Sequence, residues 1–157
     1  MAHTEQQRRA SHLRAIPATF RVAVEGVDDD ALRRRPAPGE WSAIEVLGYM
    51  IDKMQEWTHR VERVAVEEQP ALPGYDQDAL VRAHAYQHAD AEALLARLVD
   101  ACERFAAVVE RLPDATLERQ GVHADYGAFT IRQCVEAPLA SVPEHVAQLT
   151  AALVRDV

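Results

Sequence analysis

The feature that most constrains the fold is a set of long segments in which apolar residues recur every three or four positions, the spacing of a buried helical face. The clearest segment covers about residues 42–67. Ser42 and Glu45 form a capping-box pattern at its start. The apolar residues that follow at helical steps are Leu47, Met50, Met54, Trp57, Val61 and Val64. No stretch shows a convincing alternating strand pattern, so the sequence predicts an all-α protein.

The same periodicity predicts three further long helices, over residues 4–27, residues 90–112 and from Thr130 onward. Thr130 and Gln133 form a second capping-box pattern. Residues 78–88 are predicted to form a short helix, whereas residues 28–39 and 69–76 are rich in turn-forming residues and are predicted to be loops. These connections are long enough for crossings as well as for antiparallel neighbours. A four-helix bundle with long crossover loops follows, its topology left open.

Two prolines interrupt the last predicted helix. Pro138 and Pro143 lack the backbone N–H that a helix interior requires, which predicts a kinked or broken helix. Ser141 and Glu144 have the spacing of a fresh capping box, with Pro143 in the first turn of a restarted helix. Ser141 is therefore interpreted as a helix cap.

Composition limits the class of protein. A chain of 157 residues suits one domain, residues 1–157, with a single core. The net charge of −8 argues against nucleic acid as a partner. No apolar run approaches the roughly 20 residues of a membrane span. We therefore expect no membrane partner, and we expect a cytoplasmic location. Cys102 and Cys134 are too few and too far apart for a disulfide framework and are expected to be reduced and buried.

Two segments together resemble the DinB-like (damage-inducible, YfiT-type) bundle family. They are PAPGEWSAIEVLGYMIDKMQEW, similar to the family's second helix and its entry, and TIRQCVEAPLASVPEHVAQ, similar to its last helix. The family carries a three-His metal site. The first His falls in a stretch like Leu-Gly-His-Met-x-Asp, where this chain has Tyr49, with Asp52 three residues later. The other two fall at Ser141 and His145.

The resemblance implies a range of activities. Such families include metal-dependent thiol S-transferases, maleylpyruvate isomerases and members with no known reaction. Serine is a weak ligand for zinc or nickel, and Tyr49 would have to lose a proton of pKa about 10 to bind well. Only His145 keeps a ligand type of the family, so no metal cofactor is predicted, although Zn or Ni is kept as an alternative.

The interpretation that we favour is a bundle with a degenerate metal site. Its polar cleft, lined by Tyr49, Asp52, Ser141 and His145, would bind a small-molecule ligand or have only a structural role. A hydrogen bond between Tyr49 and His145 is expected to replace the metal as the link between the two helices, because it would satisfy both buried polar groups.

Three alternatives stay open. A metal-dependent transferase or hydrolase could use a rearranged site of His145, Asp52 and His123, the last in a loop expected to be exposed. His145 could act alone as a general acid or base, since its usual pKa suits that role. The chain could also be a dimeric interaction module, because the resemblance implies pairing through helix faces. His84 and His88 have ligand-like spacing but are expected to lie on a solvated helix face.

Overall fold

Four long helices form the bundle, as predicted. The structure is a computed structural model that describes residues 2–154; residue 1 and residues 155–157, the ends of the predicted domain, lie outside this range. The long helices are α1 (Glu5–Val24), α3 (Ala43–Val66), α5 (Ala91–Glu110) and α6 (Ile131–Leu153). The short helices α2 (Asp29–Arg33) and α4 (Gln77–Ala83) lie in the connections, as do 3₁₀ turns at Tyr86–His88 and Asp114–Thr116.

Capping residues fix where the two site-bearing helices begin. The Ser42 side chain accepts the backbone N–H of Glu45, whose carboxylate accepts the Ser42 N–H in return. Thr130 and Gln133 make the same reciprocal pair at the start of α6. Both predicted capping boxes are confirmed, and they set the positions of all later side chains on α3 and α6.

The helices pack as a ring in which α1 and α3 each contact both α5 and α6. The shared core is apolar and fully buried, with large side chains that include Leu13, Phe20, Leu47, Met50, Met54, Leu98, Phe105 and Leu149. This order places α3 directly beside α6, although α4, α5 and the sheet separate them in sequence. Residues about 90 positions apart can therefore form one site.

A small sheet was not predicted. Strand β1 (Ala71–Leu72) pairs in parallel with β2 (Gln120–His123), and β2 pairs antiparallel with β3 (Gly127–Thr130). Strands of two to four residues are too short to show an alternating pattern in the sequence. The sheet brings the loop after α3 against the entry to α6 and so closes one end of the bundle.

Two connections differ from the prediction. The loop predicted over residues 28–39 contains α2, capped by the Asp28 side chain, which accepts the Ala31 N–H at 2.8 Å. The short helix predicted over residues 78–88 stops at Ala83, because Ala85 adopts a left-handed conformation with φ of 51°. The chain then restarts as the turn at Tyr86–His88.

The predicted break in the last helix is wrong. Helix α6 runs without interruption through Pro138 and Pro143. Ser141 lies inside it, and its hydroxyl donates to the Pro138 carbonyl at 2.8 Å rather than capping a new helix. The Ser141 hydroxyl thus adds a hydrogen bond inside the segment that contains the prolines. Pro138 and Leu149 are buried on the inner face of α6 and hold this helix against the bundle. A bend within the continuous helix stays a prediction.

Both cysteines are free and buried, as predicted. Burial raises the pKa of Cys102 to about 12 and that of Cys134 to about 12, which keeps both thiols protonated near neutral pH. They act as packing residues. Within residues 2–154, every helix is too short or too polar to cross a membrane.

Candidate functional site

The structure brings Tyr49 of α3 and His145 of α6 together but does not join them by a hydrogen bond. Their ring centroids lie 5.4 Å apart, with the rings at 69° in an edge contact. Among the described residues, the Tyr49 hydroxyl instead lies 3.3 Å from the Tyr75 hydroxyl. The predicted Tyr49–His145 bond is wrong, because each group has found a nearer polar partner.

His145 has a side-chain partner at each ring nitrogen. Nε2 lies 3.0 Å from Nζ of Lys53, and Nδ1 lies 3.2 Å from Oε1 of Gln148. Burial lowers the pKa of His145, and the charge of Lys53 lowers it further, whereas Gln148 and Glu144 act in the opposite direction. The imidazole is only 9% exposed and is therefore held neutral near physiological pH.

Lys53 is a residue of the candidate site that the sequence interpretation missed. It is the only lysine of the chain. It lies one helical turn after Tyr49, so both side chains leave α3 on the face toward α6. Burial lowers the pKa of Lys53, and the nearby Glu144 carboxylate opposes that shift. The four-residue spacing from Tyr49 is the signal that could have identified it.

Tyr49 is fully buried against aromatic neighbours. Its ring centroid lies 4.9 Å from that of Trp41, and burial, then the bond to Tyr75, raises the pKa of its hydroxyl well above the usual range. The phenol is therefore protonated at any physiological pH. It can donate or accept a hydrogen bond but does not offer a phenolate.

Asp52 belongs to a separate cluster. Its Oδ1 accepts the Tyr86 hydroxyl at 2.7 Å and lies 2.9 Å from Nδ1 of His84. Its Oδ2 is buried without a hydrogen-bond partner among the described residues. Gly48 makes this arrangement possible, since a Cβ there would lie 2.2 Å from the Tyr86 ring. His84 is exposed, as expected, and it also contacts Asp52, so Asp52 pairs with His84 and not with His145.

His123 is also placed differently from the prediction. It ends β2, is only 7% exposed, and its Nδ1 accepts the Asp125 N–H at 3.1 Å. Its ring lies between those of Trp57 and Tyr126, with centroids at 6.2 and 4.8 Å. Burial and the charge of Arg60 lower the pKa of His123. This histidine packs the sheet onto α3 instead of joining His145.

A cleft of about 1120 Å³ opens beside His145. Its lining includes Arg34, Arg35, Trp41, Glu144, His145 and Gln148. Of the four residues predicted to line a cleft, His145 alone reaches this one among the described residues. The Trp41 indole N–H donates to Asp78 at 2.8 Å, and Arg35 forms a two-point ion pair with Glu45. Residues of both charges and an aromatic ring thus surround the open space.

The side chains at the three positions that the resemblance assigns to the family's ligands do not fit a divalent metal. Tyr49 is a protonated phenol, the Ser141 hydroxyl is bonded to a backbone carbonyl, and Nε2 of His145 is bonded to Lys53. A catalytic zinc site uses three strong donors and an open position. Across residues 2–154, no group of three or more His, Cys, Asp or Glu side chains is arranged to hold a metal ion.

The fold and this site together define a class, a four-helix bundle with its candidate site between the second and fourth long helices. The family model described as the DinB superfamily matches residues 12–149. The chain therefore belongs to the DinB superfamily, as its sequence resemblance implied.

Two comparisons with YfiT of Bacillus subtilis agree with this placement. The protein named "Putative metal-dependent hydrolase YfiT" is 28% identical over 113 residues, 72% of this chain. The match spans 64% of that relative, less than two thirds of its length. The solved structure of YfiT, described as having an unusual four-helix bundle topology, superposes with a TM-score of 0.84 at 24% identity. It covers 97% of this chain and 87% of YfiT, which shows a shared fold.

Proposed function

We propose that this chain is a DinB-family bundle with a degenerate metal site that binds a small molecule in the cleft beside His145. One observation carries the proposal: both ring nitrogens of His145, the only family ligand type kept, are already bonded to Lys53 and Gln148. A histidine that ligates a metal must offer an unshared nitrogen lone pair. We therefore propose that hydrogen bonds within the protein take the place of a metal at this site. The proposed location of the protein is the cytoplasm.

The cleft supports a polar ligand. Arg34 lines the cleft and donates to the Leu153 carbonyl, so it places a guanidinium group at this space. Glu144 and Gln148 face the same space and offer acceptors. The Trp41 ring, partly exposed, gives a flat apolar surface. Ligand pockets commonly combine a few such polar groups with an aromatic wall.

Ligand binding can be followed through Trp41. The other tryptophan, Trp57, is buried under Arg60, whose guanidinium lies 4.4 Å from the ring centroid. A small molecule in the cleft should change the fluorescence of Trp41 and leave that of Trp57 unchanged. The Trp41→Phe variant removes the responding ring and is the control for any compound that scores as a ligand.

A second candidate is a metal-dependent enzyme, a thiol S-transferase or hydrolase with a rearranged site. The name given to the relative YfiT favours it. The structure argues against it, because Asp52, His123 and His145 hydrogen-bond to different partners and, among the described residues, no group of three or more His, Cys, Asp or Glu side chains is arranged to hold a metal ion. Metal binding distinguishes the two candidates.

The test is metal analysis of tag-free protein, followed by calorimetric titration with Zn²⁺ and Ni²⁺ before and after chelator treatment. We expect no stoichiometric, chelatable metal and no saturable uptake. The His145→Gln variant separates specific from incidental binding, and His12→Gln, which removes an exposed histidine of α1, is the matched control. Stoichiometric metal that His145→Gln abolishes and His12→Gln retains would establish the enzyme candidate instead.

A further inference from the structure

Lys53 and His145 form the closest polar link between α3 and α6 at the candidate site. Their nitrogen atoms Nζ and Nε2 lie 3.0 Å apart. Lys53 is partly buried, and Glu144 lies close enough to favour its charged form. Lys53 lies one helical turn after Tyr49, the first position that the resemblance assigns to a family ligand, and His145 is the last such position.

The partner of the other ring nitrogen sets the direction of this hydrogen bond. Oε1 of Gln148 is an acceptor only, so Nδ1 of His145 must carry the hydrogen that it receives. In the neutral imidazole, Nε2 then has a lone pair and no hydrogen. Lys53 is therefore the donor, and its ammonium group occupies the lone pair of Nε2.

That lone pair can be used only once. A metal ion on Nε2 would stand about 2.0–2.1 Å away along the same direction. The Lys53 amino group would have to leave first, and an ammonium that stayed nearby would repel a divalent cation. The Tyr49 ring also packs edge-on against the His145 ring, with the centroids 5.4 Å apart.

We infer that Lys53 takes the place of the divalent cation: its ammonium group binds His145, joins α3 to α6 and keeps metal ions out of the site. This inference rests on the proposed metal-free function and adds the group responsible. Lys53 is then the residue that prevents a divalent metal from binding at His145, and replacing Lys53 tests this directly.

The experiment compares three variants in zinc and cobalt titrations. Tyr49→His with Ser141→His restores the family ligand types but leaves Lys53 in place. Adding Lys53→Met removes the charge at similar length, whereas adding Lys53→Arg keeps it. We expect the Met variant to bind zinc about 10- to 100-fold more tightly than the double variant, the range over which groups beside a metal's ligands change affinity. The Arg variant should bind as weakly as the double variant.

Cobalt gives a second readout, because its visible absorption reports coordination by imidazole. Equal zinc affinity in the Met, Arg and double variants would overturn the inference, even if the unmodified chain binds no metal and the proposed function stands. Stoichiometric metal in the unmodified chain, lost in His145→Gln, would overturn both.

A measurement on the unmodified chain does not depend on whether variants fold. Long-range ¹H–¹⁵N NMR spectra distinguish the two imidazole tautomers. We expect the His145 ring to carry its hydrogen on Nδ1, with Nε2 accepting from Lys53. A hydrogen on Nε2 in the neutral ring would mean that Lys53 does not donate, and the inference would fail.

Discussion

At His145, the burial of an imidazole beside a lysine couples folding to pH. Burial, followed by Lys53, lowers the pKa of this ring in the folded protein, while Gln148 and Glu144 oppose the shift. In the unfolded chain the ring has its ordinary pKa of about 6.5. The unfolded state therefore binds the proton at higher pH than the folded state, and stability is lost as the pH falls through 6.5.

The His145→Gln variant should show a weaker loss of stability between about pH 7.5 and pH 5. His123, whose pKa is also lowered, should account for part of the slope that remains. The window avoids Glu45, whose lowered pKa causes loss only below its usual value of 4.5. Urea unfolding at several pH values measures the slope, with His12→Gln as the control. An unchanged slope in His145→Gln would contradict the assignment.

Helix α6 contains two prolines and yet is continuous. A proline in a helix interior removes one backbone hydrogen bond and crowds the preceding turn, at a cost of about 3 kcal/mol. Pro143 is exposed, whereas Pro138 is buried against the bundle. Helix α6 must draw the compensating free energy from the packing of its inner face, which includes Ile131, Val135 and Leu149.

The Pro143→Ala variant should therefore raise the free energy of unfolding. Restoring the backbone hydrogen bond should stabilise the folded state by about 3 kcal/mol. The greater flexibility of the unfolded chain without proline should offset about 0.4–1 kcal/mol of that stabilisation. A net gain of about 2 kcal/mol in urea unfolding is expected. Pro36→Ala, at an exposed position outside any helix, is the control and should be neutral or slightly destabilising. No gain at Pro143 would mean that α6 already relieves the strain locally.

At the scale of the whole molecule, the sequence resemblance predicts a homodimer paired through helix faces. Helices α1 and α6 both carry surface that other described elements leave open, including an apolar groove with Val142, Pro143 and Val146. Sedimentation at two protein concentrations should give about twice the 17.5 kDa mass of one chain. The mass of a single chain at both concentrations would contradict the predicted dimer.

The placement in the DinB superfamily bounds the activity without naming a substrate. Its relative YfiT carries a name that invokes a metal, and this chain shares its fold. Function follows from the side chains of a site rather than from the fold, because a fold can keep its shape after its chemistry changes.

Local sequence determined the four long helices and where two of them begin. The capping boxes at Ser42 and Thr130 and the apolar stripe of α3 act within a few residues, so they can be recognised without the rest of the chain. The strands of the small sheet could not be recognised. Their hydrogen bonds join residues such as Leu72 and Ala124, which are distant in sequence, and the strands themselves are too short to form a pattern.

The site followed the same division. The sequence identified His145 and the substitutions at positions 49 and 141, because these are properties of residue type. Only the tertiary structure decided which side chains are in contact. Lys53 contacts His145, and the Tyr75 hydroxyl lies next to that of Tyr49. Asp52 contacts His84 and Tyr86. A hydrogen bond forms only when the donor–acceptor distance lies within a range a few tenths of an ångström wide. The packing of α3, α6 and the loops sets these distances.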